Sequence, residues 1–231
     1  THDMFPLIHR NRDAMPSIQH YVCMDGEQEG ALDFNELLLE APSAPKTCVE
    51  GGDAAHLSYT SGSSGMPKGA LLAHGPTARA THYIAERMQL TSDCVTLGPT
   101  SPASSYGLVV NLLPSLHRGA TVGLMSKWDA AIAWEDMEKR GVDYFPANPL
   151  VFSDFLHECR RRGRKPAKLR VAPSGGAPLP LDLKKAYGEE FDIFLVESYG
   201  QSELGGFVAL GYPRKEKEER KQVAQFKTDL S

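Results

Sequence analysis

Apolar residues follow two alternating rhythms along this chain, most regularly after residue 53. Short apolar runs at 57–60, 94–97, 121–125, 142–145, 169–172 and 193–196 read as strands. Between them, apolar positions recur at helical spacing. Thr77 can cap a helix to about Met88, with Tyr83, Ile84, Arg87 and Met88 in register. Residues 108–116 read as a buried helix that Pro114 should kink or shorten. Further helices are predicted at 129–140, stopped by Gly141, at 150–161, beginning just after Pro149, and at 181–187. Strands alternating with helices imply crossovers, and so an α/β fold with a mostly parallel sheet flanked by helices on both faces.

The first 53 residues are less patterned. Residues 18–24 form a plausible strand ending at the Asp25-Gly26 turn. Residues 33–39 suit a short helix with Asp33 as N-cap and Glu36 at the third helical position, and residues 41–45 and 51–53 are loop material. The expected organisation is a leader over 1–53, an α/β subdomain over 54–213, and a charged tail over 214–231. The run RKEKEERK in that tail reads as a solvated face. The more basic RRRGRK at 160–165 reads as surface charge that complements a helix C-terminus.

Composition narrows the function. The chain has 231 residues, 41% hydrophobic and 23% charged, which excludes a disordered or fibrous protein. Its formal net charge of −4 argues against a dedicated nucleic-acid binder. Cys23, Cys48, Cys94 and Cys159 make no CxxC pair, and the eight histidines make no HExxH pattern, so no structural zinc motif is present. The cysteines read as reduced thiols, mostly buried, of a cytoplasmic protein. No apolar run approaches the ~20 residues of a membrane span. The start lacks both an initiator Met and an apolar signal segment, as expected of a cut within a longer protein.

The segment YTSGSSGMPKG, from Tyr59 to Gly69, carries the most chemistry. Its glycines, Gly62, Gly65 and Gly69, let several N–H groups face one anion. Thr60, Ser61, Ser63 and Ser64 add hydroxyls, and Lys68 adds charge. Together these make a polyphosphate clamp. A Walker A loop is excluded, because Pro67 and Gly69 stand where that motif needs Gly and Ser or Thr. No G-x-S-x-G nucleophile elbow is present.

This segment resembles the phosphate-loop signature of the adenylate-forming (AMP-binding) superfamily, which includes acyl- and aryl-CoA synthetases. Two more segments match in order: Ser174 to Pro178 (SGGAP), similar to the adenine-side loop, and Glu197 to Glu203 (ESYGQSE), similar to the Tyr-Gly-x-Thr/Ser-Glu motif. His74 also fits. SYGQSE is closer to the CoA-ligase branch than to the peptide-synthetase branch. The resemblance implies a partial adenylate-forming N-terminal domain that uses ATP, Mg²⁺ and CoA to convert a small carboxylic acid to an acyl-adenylate and then a thioester. It places Lys68, Ser202 and Glu203 in catalysis, with Glu203 as the Mg²⁺ ligand. It gives nucleotide contacts to Thr60, Ser61, Gly62, Ser63, Ser64, Gly65, Lys68, Ser174, Gly175, Gly176, Ala177, Tyr199, Gly200 and Ser202.

The chemistry agrees with these roles. Two anionic reactants must be held in line with their charge cancelled. The segment Pro99 to Gly107 (PTSPASSYG) would wall the acid site, and Ala103, Ser104 and Ser105 depart from the His or aromatic that many relatives carry. Only 28 residues follow Glu203, and none forms the family's ribose-binding aspartate motif. The chain therefore looks like a central fragment, without the C-terminal domain and its lysine. A catalytically incomplete nucleotide-binding module and a peptide-synthetase-type adenylation domain stand as alternatives.

Overall fold

The computed structural model describes residues 1, 3–40, 48–60 and 65–211. Contacts divide the chain into two units, Thr1–Cys48 and Val49–Ser231. In the first, α1 (Phe5–Arg10) precedes two short parallel strands, β1 (Val22–Cys23) and β2 (Leu32–Asp33), and α2 (Phe34–Glu40) follows. The Asp33 carboxylate accepts from the Asn35 N–H at 2.7 Å, the N-cap contact its position predicts. The expected strand at 18–24 contracts to Val22–Cys23.

The second unit opens on an antiparallel hairpin. Strand β3 (Ala54–Thr60) pairs with β4 (Lys68–Ala73), with Thr60 opposite Lys68. The strand expected at 57–60 thus extends from Ala54 to Thr60, and Lys68 and Gly69 begin a second one. A strand over 68–73 was not anticipated because its apolar positions are short and only partly buried. Helix α3 (His74–Arg87) follows directly. It starts three residues before Thr77, whose hydroxyl donates back to the Ala73 carbonyl at 2.8 Å rather than capping the helix.

The main sheet is doubly wound. Strands β5 (Val95–Gly98) and β6 (Thr121–Leu124) run parallel. So do β7 (Val171–Ser174) and the first part of β8 (Phe194–Gln201). The backbone at Tyr144 bridges Thr96 on one side and Val171 on the other, joining the two pairs. The expected strand at 142–145 is reduced to this bridge and a second one at Ala147. Strand β9 (Gly206–Leu210) returns antiparallel to β8 at the edge. In chain order the central strands run second, first, third, fourth, fifth, an order in which ligands bind beyond the strands' carboxyl ends.

Both faces of this sheet are buried, because successive strand side chains point to opposite sides. Phe145, Ala172 and Leu195 face a core with Trp134 and Met137 of α5 (Ala130–Arg140), Phe152, Phe155 and Cys159 of α6 (Pro149–Arg162), and Tyr187 of α7 (Leu181–Phe191). Their neighbours Tyr144, Val171 and Val196 face the other core, with Ile84 of α3, Met88 at its C-cap, and Val109. Asp129 and Asn148 cap α5 and α6 through their side chains, and Gly141 and Gly163 end these helices in left-handed conformation.

Pro114 has the predicted disruptive effect. Residues Tyr106–Leu112 adopt a π-helical register before a short α4 (Leu113–His117). The basic cluster is surface charge held in ion pairs: Arg160 with Glu190, Arg161 with Glu158, Arg162 with Glu158 and Glu135, and Arg164 with Glu138. Arg162 and Arg164 also stack on the Trp134 ring. The charged run at 214–221 and the loop at 41–45 lie outside the described residues.

Candidate active site

Two hairpins frame the site. The first is β3–β4, whose connection carries the Gly/Ser loop. Of that loop, Ser61, Gly62, Ser63 and Ser64 lie outside the described residues. Thr60 ends β3, with its hydroxyl 3.4 Å from the Lys68 carbonyl across the hairpin. Gly65 and Lys68 are exposed. His74 stands exposed at the start of α3, with its backbone N–H donating to Asp53 at 3.0 Å.

The second hairpin is β8–β9. The sequence ESYGQ lies within β8, not after it. Strand pairing continues past the apolar run because β9, beginning at Gly206, supplies new partners. Ser202, Glu203 and Leu204 form a single helical turn at the hairpin's tip. That turn packs against both β3 and β4, so Ser202 and Glu203 stand against the hairpin that carries Thr60 and Lys68. The segments were 130 or more positions apart in sequence, and only the β8–β9 turn brings them together.

A cleft of about 830 Å³ lies between the loop that follows β7 and the β8–β9 hairpin, lined by Gly176, Ala177, Glu197, Tyr199, Gly200 and Gly211 among others. SGGAP and ESYG therefore form two sides of one cavity. Tyr199 is exposed toward solvent, and its hydroxyl accepts from the Gln201 amide at 2.9 Å. Ser198 donates to the Ser174 carbonyl, tying the two segments together. The Ser174 hydroxyl itself is buried without a protein partner.

Close packing explains two of the glycines. A Cβ at Gly175 would lie 2.7 Å from the Phe207 ring and 2.9 Å from the Ser198 hydroxyl. One at Gly200 would overlap the Gly206 carbonyl, forcing β9 off β8. Gly176, in contrast, has open space where a side chain would stand, and its positive φ of 82° is what favours glycine there.

The segment at 99–107 is tied to both regions. Ser105 donates to the Ser58 hydroxyl on β3 at 2.8 Å. Tyr106 donates to the carbonyls of Ala147 at 3.0 Å and Pro173 at 3.2 Å, at the ends of adjacent strands. Burial pushes the Tyr106 phenol well above its ordinary value, so it remains a donor. Its ring meets Phe207 edge-on at 5.5 Å. Sequence reasoning missed Phe207; the available signal was an apolar residue alternating after the Gly205-Gly206 turn.

A parallel sheet wound in this order, with a glycine-lined cleft beside the loop that follows β7, defines an α/β protein of the doubly wound class. The chain belongs to the AMP-binding enzyme family, whose sequence pattern matches residues 2–226. It is 28% identical over 194 residues to 4-coumarate–CoA ligase 3 from Oryza sativa subsp. japonica, covering 82% of this chain and 35% of the relative. It is 33% identical over 153 residues to a feruloyl-CoA synthase from an Amycolatopsis species, covering 65% of this chain and 30% of the relative. The chain thus spans about a third of these relatives' length. Its fold matches that of the anthranilate CoA ligase AuaEII in complex with anthranoyl-AMP, with a TM-score of 0.79 at 22% identity, over 91% of this chain and 42% of that one. It also matches the N-terminal domain of FACL13 from Mycobacterium tuberculosis, with a TM-score of 0.67 at 26% identity, over 74% of this chain and 43% of that one.

Among the described residues, no helix is long and apolar enough to cross a membrane.

Proposed function

We propose that this chain is the nucleotide-binding part of an AMP-forming carboxylate–CoA ligase. The observation that carries the reading is the meeting of the β3–β4 hairpin with the tip of the β8–β9 hairpin, which also lines the cleft. A base seated against Gly176 and Tyr199 would direct its phosphates toward the Ser202–Glu203 turn and the β3–β4 loop.

In this reading Tyr199 offers a flat face to adenine. The Gly175-Gly176-Ala177 backbone lets the base approach closely. The backbone between Thr60 and Gly65, with Lys68, holds the β- and γ-phosphates, and Ser202 contacts the α-phosphate. Glu203 is an exposed carboxylate at a hairpin tip. That suits Mg²⁺, which takes one or two carboxylates and completes its shell with water and phosphate oxygens. Bound there, the cation would neutralise phosphate charge as the acid's carboxylate attacks the α-phosphorus and pyrophosphate leaves. The chain's own residues bind, orient and fix the base, while Ser105 and Tyr106 hold the wall of the acid site against β3 and β7. The C-terminal part of such a ligase would complete the site, and thioester formation with CoA would follow.

Calorimetric titration of the chain with Mg²⁺-ATP tests the reading. Binding is expected, weakened about tenfold by Tyr199→Ala, as for loss of one base–aromatic stack. An affinity unaffected by Tyr199→Ala and by Gly175→Ala would overturn the assignment of this cleft.

A further inference from the structure

Two histidines remote in sequence meet on the surface of the α/β unit. His82 on α3 and His117 at the end of α4 place Nδ1 and Nε2 3.2 Å apart. Their rings stand at 89° with centroids 5.4 Å apart, so the planes stay clear of each other when both nitrogens turn toward one point. On its other side, His82 Nε2 lies 3.2 Å from the Glu86 carboxylate, one helical turn along.

Each part of this arrangement has a coordination counterpart. A carboxylate is acceptor-only, so Glu86 holds the imidazole proton on Nε2 and leaves the Nδ1 lone pair facing His117. That pairing of carboxylate, imidazole and open nitrogen is how metal-binding histidines are oriented. Two nitrogens bound to one tetrahedral zinc, each 2.0–2.1 Å away, lie ~3.3 Å apart. The observed 3.2 Å matches that separation. Without a metal, His117 Nε2–H donates to His82 Nδ1. With a metal, the His117 proton resides on its Nδ1 and both facing lone pairs bind the cation.

We propose that His82 and His117 form a surface site for a divalent transition cation of the zinc class, with Glu86 as the positioning residue. Imidazole pairs suit zinc, copper and nickel rather than magnesium or calcium. No group of three His, Cys, Asp or Glu side chains converges among the described residues. The protein therefore supplies two ligands, and water fills the remaining positions. Both histidines are solvent-accessible, which allows this. The cation would pin α3, which begins where β4 ends, to α4, which continues the π-helical segment behind residues 99–107. The inference is independent of the ligase reading.

Zinc binding to the chain, measured by equilibrium dialysis in a Cys48→Ser background, tests it. Cys48 is replaced because it is the exposed thiol. One zinc per chain is expected, with affinity reduced at least tenfold in His82→Gln and in His117→Gln. Glu86→Gln should reduce it about tenfold, the usual effect of losing an orienting partner. Saturating zinc should raise the unfolding midpoint by about 5 °C in the background protein and not in either histidine variant. Absence of binding, or binding that survives both histidine substitutions, would overturn the site. Unchanged affinity in Glu86→Gln would overturn the role of the carboxylate.

Discussion

The Tyr144 hydroxyl donates to the Val110 carbonyl at 2.9 Å, inside the core. In an unbroken helix that carbonyl would accept from residue 114, but residue 114 is proline and has no N–H. The tyrosine supplies the missing donor from the sheet, and burial raises its phenol above the ordinary value, keeping it protonated. This one bond couples the central bridge of the sheet to the π-helical segment at 106–112.

Tyr144→Phe should therefore leave a buried carbonyl without a partner and destabilise the fold by about 1–3 kcal/mol. Adding Pro114→Ala restores a backbone donor at the same position. The double variant should lose less than the sum of the two single changes. Urea unfolding of the four proteins checks this, and strict additivity would refute the coupling.

Glu158 makes a second prediction. Arg161 and Arg162 both donate to its nearly buried carboxylate and hold its pKa down to about 2, from an ordinary 4.5. A depressed folded-state pKa contributes stability that is complete above the ordinary value and is lost as pH falls toward 2. The stability gap between the protein and Glu158→Gln should be largest above pH ~5 and shrink on acidification. Denaturant midpoints measured across that range decide it.

The thiols should divide sharply. Cys48 is exposed, whereas Cys23, Cys94 and Cys159 are buried. Burial, with the Glu158 charge adding to it, pushes the Cys159 thiol up to about 12. A thiol-exchange reagent should modify Cys48 in the folded protein and all four cysteines in urea. Rapid native reaction at Cys159 would show that α6 opens readily.

Within the complete ligase, Glu203→Gln should cut adenylation by ~10²–10³, the scale of losing one electrostatic contact to the transition state. Lys68→Ala should be milder if, as proposed above, backbone N–H groups share the phosphate charge. Acid-dependent exchange of pyrophosphate into ATP measures both. The 231-residue chain alone, which spans about a third of its relatives' length, should show no such exchange. Robust exchange by the chain would show the rest of the ligase to be dispensable.

Much of this was written locally in the chain. Asp129, Asn148 and the glycines at 141 and 163 mark helix ends through contacts a few residues long, and Gly141 stops its helix as predicted. Apolar runs at 94–97, 169–172 and 193–196 located β5, β7 and β8 because strands buried on both faces need continuous apolar residues. The three motifs were legible as chemistry, because phosphate and base recognition demand glycines, hydroxyls and charge at fixed spacing.

What the chain pattern could not decide depends on partners far away in sequence. Strands β4 and β9 are edge or hairpin strands with half-exposed side chains, so no apolar rhythm announces them. They exist because β3 and β8 offer unpaired backbone groups. The placement of Ser202 and Glu203 against the β3–β4 hairpin follows from β9 turning back along β8, through glycines that admit its close approach. The His82–His117 pair has no sequence spacing to reveal it; only the packing of α3 on α4 brings the two rings together.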